Sequence, residues 1–69
     1  MTAKRIITAD YTNWRGERRF RRLRPRLVWF GATDYHPEPQ WFLRARDLED
    51  GAVKDFALAG FHGFVGVTP

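Results

Sequence analysis

The sequence predicts an all-β protein of five short strands in a single domain, residues 1–69, and three observations lead there. A chain of 69 residues has room for one hydrophobic nucleus and not for two. Its apolar residues fall in short alternating or β-branched runs, each bounded by glycine, proline, asparagine or aspartate. The one segment with helical spacing, Glu17 to Phe30, contains Pro25, which costs about 3 kcal/mol in a helix interior.

Taken in order, Arg5 to Asn13 reads as a first strand, and Asn13-Trp14-Arg15-Gly16 as a tight turn in which Gly16 supplies the positive φ. In the next segment Phe20, Leu23, Leu27 and Val28 would make a basic amphipathic helix, but Pro25 also drives Arg24 out of the α region. An edge strand or a bulge accepts both effects. Arg18 to Phe30 is therefore expected as one long, bent strand. Its first half places Arg18, Phe20, Arg22 and Arg24 on one side and Arg19, Arg21 and Leu23 on the other, with the parity open to reversal at a bulge near Pro25.

Gly31 to Pro39 is a loop, because Pro37 and Pro39 forbid regular structure, and it is longer than the usual two to five or so residues of a hairpin. Long ordered loops in small domains often carry function. Gln40 to Asp47 alternates, with Trp41, Leu43 and Ala45 on one face and Phe42, Arg44 and Arg46 on the other. Trp41 is expected in the core with its face-mates, as are Phe20 and Trp29, whereas Phe42 is expected to extend a basic surface. Glu49-Asp50-Gly51 turns the chain into a fourth strand, Val53 to Leu58. Ala59-Gly60 is a break before a fifth, Phe61 to Val67, whose Gly63 and Gly66 mark a bulge or a close backbone approach.

Charge is distributed unevenly. Residues 1–30 hold nine cations against two acids, a balance of +7, and residues 31–69 hold three cations against six acids, a balance of −3. In so small a domain this asymmetry becomes a positive field around Arg15 to Arg26, and the corresponding partner is polyanionic. Ten of the twelve cations are arginine, which suits bidentate contacts to phosphate or carboxylate; a solvated face with internal acid partners is the plainer alternative.

Several classes are excluded or disfavoured. No apolar run approaches the length of about 20 residues that spans a bilayer, and no apolar stretch follows the first charges as in a secretion signal, so a cytoplasmic location without membrane contact is expected. The chain has no serine and no cysteine, which removes those nucleophiles and disulfides alike. His36 and His62 are too few for a hydrolytic zinc site, so no metal, no cofactor and no catalytic residue is expected. His36, before Pro37, is expected to shape the loop. A core this small, with about 60% of the unfolded surface buried, points to a homodimer or a protein partner.

The residues also resemble a known family. Trp41-Phe42-Leu43 is similar to the Trp-Tyr-Leu run that names the WYL domains, Asp10-Tyr11 before Gly16 to their opening strand, Arg21-Arg22-Leu23-Arg24-Pro25 to their arginine-to-proline segment, and Lys54-Asp55-Phe56-Ala57-Leu58 to their Arg-x-Phe-x-Leu strand. The resemblance covers about residues 6–67, with Lys54 where arginine is usual and Gly60 where a second arginine is usual. It implies a small five-stranded, partly open SH3/Sm-like barrel. Such domains usually follow a winged helix-turn-helix in bacterial transcription regulators, or accompany defence nucleases and helicases, and bind nucleic acid or nucleotide-like ligands. The likeness here is to a stand-alone module of bacterial or phage type, and it implies binding without catalysis.

Two candidate sites follow. The arginine strand with its aromatic neighbours offers charge beside flat apolar faces, as single-stranded nucleic acid requires, and its expected contacts are Trp14, Arg15, Arg18, Arg19, Arg22, Arg24, Phe42 and Arg46. The resemblance places an anion-gripping pocket for a nucleotide or similar ligand at Tyr11, Arg21, Arg44 and Lys54, the alternative there being a salt-bridge network with Asp10, Asp47 and Asp55. A third reading makes the loop of residues 31–40 a docking element for another protein.

Overall fold

The computed structural model describes residues 5–68; Lys4, one of the cations of the basic half, and Pro69 lie outside them. Five strands form, β1 (Ile6–Thr12), β2 (Arg18–Gly31), β3 (Gln40–Asp47), β4 (Val53–Ala57) and β5 (Phe61–Thr68), with a 3-10 turn, η1 (Leu58–Gly60), joining the last two. They make one antiparallel sheet in the order β4-β3-β2-β1-β5, so the chain passes through η1 from one sheet edge to the other. The sheet curls until the Ala57 N–H at the end of β4 donates to the Tyr11 phenol oxygen on β1 at 3.0 Å. β4 and β5 share no ladder, and the barrel is partly open.

The local causes are the expected ones. Gly16 has φ 82°, and the Asn13 side-chain oxygen accepts the N–H groups of Arg15 at 2.9 Å and Glu17 at 3.0 Å, which closes the β1–β2 turn. The β2–β3 register shifts between Pro25 and Leu27, leaving Arg26 as the extra residue of a bulge. Parity reverses there. Leu23 faces inward before the bulge and Val28 and Phe30 after it, since Val28 pairs with Leu43 and Phe30 with Trp41.

The core lies on the inner, concave face, where Tyr11, Leu23, Leu43, Ala45 and Phe56 are buried with Ile7 and Phe61 packed against them. A second, smaller cluster sits on the outer face. There Trp29 stacks on Phe42 at 4.9 Å, and His36 closes over Phe42 at 5.7 Å because the β2–β3 loop folds back across β3. His36 is held by its N–H, which donates to the Thr33 carbonyl at 3.2 Å and lies 3.1 Å from the Thr33 hydroxyl.

Four aromatic expectations are corrected. Trp41 is 54% exposed, because the last β3–β4 pair is Phe42 with Ala57 and Trp41 projects from a two-stranded ribbon beyond the end of β4. Phe42 is fully buried under Trp29 and the loop and cannot belong to a basic surface. Phe20 is 61% exposed, since it points outward opposite Asp10, where no second layer packs. Trp29, expected in the core, packs instead in the part-buried outer cluster, because the parity reversal at the bulge turns it to the same face as Phe42. Among the described residues no helix is long and apolar enough to cross a membrane.

Candidate nucleic-acid interface

Alternation along β2 sends Arg18, Phe20, Arg22 and Arg24 to the outer face, and β3 adds Arg44 and Arg46. Among the described residues, only Asp10 and Asp55 supply carboxylates from the strands of this face, and each is taken. Arg18 grips Asp10 with two bonds, Nε to Oδ1 at 3.0 Å and Nη2 to Oδ2 at 2.7 Å, which holds the Asp10 carboxyl below its ordinary value. Arg44 donates through Nε to Asp55 at 2.9 Å and lies 5.4 Å over the Trp29 ring, whose Nε1 donates to the same carboxylate at 2.8 Å.

Arg22, Arg24 and Arg46 have no carboxylate within ion-pair distance among the described residues. Arg24 and Arg46 stand directly opposite each other in the β2–β3 register, and Arg22 follows two residues along the same face. Arg46 donates to the Gly51 carbonyl, whereas the buried Nε of Arg24 has no hydrogen-bond partner among the described residues. Exposed Arg26 stands at the bulge beside them. Phe20 completes the strip as an open aromatic surface between Arg18 and Arg22.

Other expected contacts sit elsewhere. Arg19 has the opposite parity and pairs with Glu49 at 2.7 Å at the rim, so its charge is already answered. Trp14 is 54% exposed in the β1–β2 turn, with its ring tilted against Tyr35 at 5.1 Å and the Arg15 guanidinium 5.9 Å from its centre. This aromatic pair ties the turn to the β2–β3 loop over a cleft of about 620 Å³.

Tyr11, Arg21 and Lys54 do line that cleft together, but Arg44 does not join them. Arg44 pairs with Asp55 and neighbouring Ala45 with Lys54, which puts Arg44 and Lys54 on opposite faces of the sheet. The cations of the trio are also engaged. Buried Asp47 accepts from Arg21 at 2.9 Å and lies 3.5 Å from the Lys54 ammonium, which reaches Asp50 at 2.6 Å. Tyr11 spends its oxygen on Ala57, and burial pushes its hydroxyl pKa up. Where the resemblance departs at Gly60, a Cβ would run into the Thr12 carbonyl oxygen and the Tyr11 ring, so no arginine fits there.

Sequence reasoning missed Tyr35 as the partner of Trp14, since nothing local relates a loop residue to a turn so far back along the chain. It also set Phe20 in the core, although its shared parity with Arg18, Arg22 and Arg24 was the available signal for an exposed position. No known family model, no curated protein and no solved structure shows significant similarity to the chain, so the reading of this surface rests on its geometry.

Proposed function

We propose that the chain is a non-enzymatic accessory module, of the WYL-like kind, that binds single-stranded nucleic acid across the outer face of β2 and β3. The observation that carries this reading is the pair Arg24 and Arg46, two cations opposed in register with no carboxylate among the described residues to answer them. Like charges directly across a strand pair destabilise a sheet, and an anion bound between them reverses the sign of that effect. Arg22, Arg24 and Arg46 contact successive phosphates. Phe20 offers an unshielded π-face, and a base stacked on it contributes about 1–3 kcal/mol without regard to its identity. Stacking of this kind needs a base free of its duplex, which favours single strands. Trp14 and Arg15 line the cleft with Tyr11, Arg21 and Lys54 and stand apart from this strip. A nucleotide pocket at Tyr11, Arg21 and Lys54 is the weaker reading, because Asp47 and Asp50 already occupy the positions an anion would take.

The test is the salt dependence of oligonucleotide binding. Removing a single phosphate contact should flatten the slope of log K against log salt by about 0.7 for a single strand. Replacing Arg22, Arg24 and Arg46 together with glutamine should therefore flatten it by about two. Arg19→Gln should leave it nearly unchanged, since Glu49 already neutralises that charge. An unaltered slope in the triple variant would move the site off this face.

A further inference from the structure

The outer face does not end at β2. Arg18, Phe20 and Arg22 stand in register with Thr12, Asp10 and Thr8 of β1, and Asp10 and Thr8 in turn with Gly63 and Gly66 of β5. Both glycines leave open space, since a Cβ on either would meet nothing within 4 Å. Phe20 and Arg22 are therefore flanked, across β1, by a low floor on which a bound strand can lie. At the Arg18 end of that floor stands His62. The β1–β5 register moves from Asp10 with Gly63 to Tyr11 with Phe61, so His62 is the extra residue of a bulge, and a bulge re-aims its side chain. The exposed imidazole turns to the outer face, where its Nε2 lies 2.7 Å from the Thr12 hydroxyl, beside the pair that Arg18 makes with Asp10.

We infer that His62 is a further contact of this face, one that grips a phosphate of the bound single strand only when its imidazole carries a proton. The inference rests on the reading of the outer face as the nucleic-acid surface. Its ground is a charge count. Asp10 has one negative charge, and Arg18 already engages both of its oxygens. An imidazolium at His62 makes two cations facing one carboxylate, which leaves one positive charge for a phosphate. A neutral imidazole leaves none. The charged groups that face His62 are Asp10 on β1 and, through it, Arg18 on β2; η1 and the rest of β5 carry no charged residue, and β5 is the edge of the sheet. Asp10 keeps its charge throughout the range in which histidine titrates, because the bond from Arg18 holds its carboxyl below the ordinary value and the nearby His62 adds to that effect. The Thr12 hydroxyl serves either state of the ring, since it can donate to a neutral Nε2 or accept from a protonated one. The imidazole thus keeps its place while its charge changes.

The affinity for a short oligothymidylate without terminal phosphates, measured from about pH 8 to about pH 5.5, tests the inference. It should rise about five- to tenfold as pH falls, the change that a shift of nearly one pH unit in the ring's titration on binding produces. At the acid end the slope of log K against log salt should be steeper by about 0.7, the mark of one more phosphate contact. By the same linkage the His62 ring, followed by NMR, should titrate at higher pH with the oligonucleotide bound than without it. His62→Gln should bind equally at both ends of the range. His62→Lys, charged throughout, should bind at about pH 8 as the unaltered protein does at about pH 5.5. His36→Gln should keep the full response, since that ring lies on Phe42 in the loop cluster. Binding that depends on Arg22, Arg24 and Arg46 but does not change with pH, or a pH response that His62→Gln retains, would overturn the inference and leave the nucleic-acid reading standing. An absence of binding at every pH removes both.

Discussion

Asp47 is a buried carboxylate among the described residues. It is 1% exposed and ionisable, and it answers Arg21 at 2.9 Å and Lys54 at 3.5 Å while accepting the Glu49 N–H at 3.0 Å. Desolvating a carboxylate is costly, and removing Asp47 leaves the largely buried Arg21 guanidinium without its acid, while part-exposed Lys54 keeps Asp50 at 2.6 Å. Asp47→Ala should therefore lower unfolding stability by about 3 kcal/mol, the low end of what breaking a buried pair costs. In urea the midpoint should fall with an unchanged slope, and a loss under about 1 kcal/mol would show that Arg21 finds another partner. The acid was visible in the sequence as one member of a possible network. Its burial was not, because that depends on its pairing with Leu23 across β2.

Elements show where local chemistry suffices and where it fails. Pro25 announces the bulge of β2, and two prolines announce the loop, since both effects are properties of one residue and its neighbours. The burial of Trp41 and Phe42 is the counter-example. Their alternation is read correctly, but which face is covered depends on β4 ending at Ala57 and on the loop returning to lay His36 on Phe42. At η1 the constraint is steric. A Cβ on Gly60 meets the Thr12 carbonyl oxygen and the Tyr11 ring, whereas one on Gly63 has nothing within 4 Å. Gly60→Ala should cost about 1–3 kcal/mol through overpacking against backbone that cannot yield, and Gly63→Ala should change stability little. Thermal melts of the two variants side by side check the contrast.

Across the molecule the titrating groups define a stability plateau. Hydrogen bonds from Arg18 and from Lys54 hold the Asp10 and Asp50 carboxyls below their ordinary values. Groups depressed in the folded state stabilise it above the ordinary carboxylate pKa of about 4 and lose that contribution as pH falls through the folded value. Burial raises the Tyr11 hydroxyl, so its contribution is complete below the ordinary value of about 10 and is lost as pH rises through the folded one. Stability should thus be flat between about pH 5 and 9 and fall on both sides. Tyr11→Phe should remove the alkaline limb while lowering the plateau, since the Ala57 N–H then lacks its acceptor. An alkaline limb that persists in that variant would assign it to another group.

Short-range features of the chain suffice to establish that it is all-β, where its five strands and its long loop fall, where β2 bends, and that its amino-terminal half is basic. These follow from proline and glycine geometry, from side-chain alternation and from composition, each acting over a few residues. Which arginines are answered and which are free is decided by the folded sheet alone. Arg19, Arg22 and Arg24 look alike along β2, yet Arg19 turns toward Glu49, thirty residues away, while Arg24 meets Arg46 across the register. Long-range pairing sets the partner of each charge, and a side chain's charge takes its meaning from that partner.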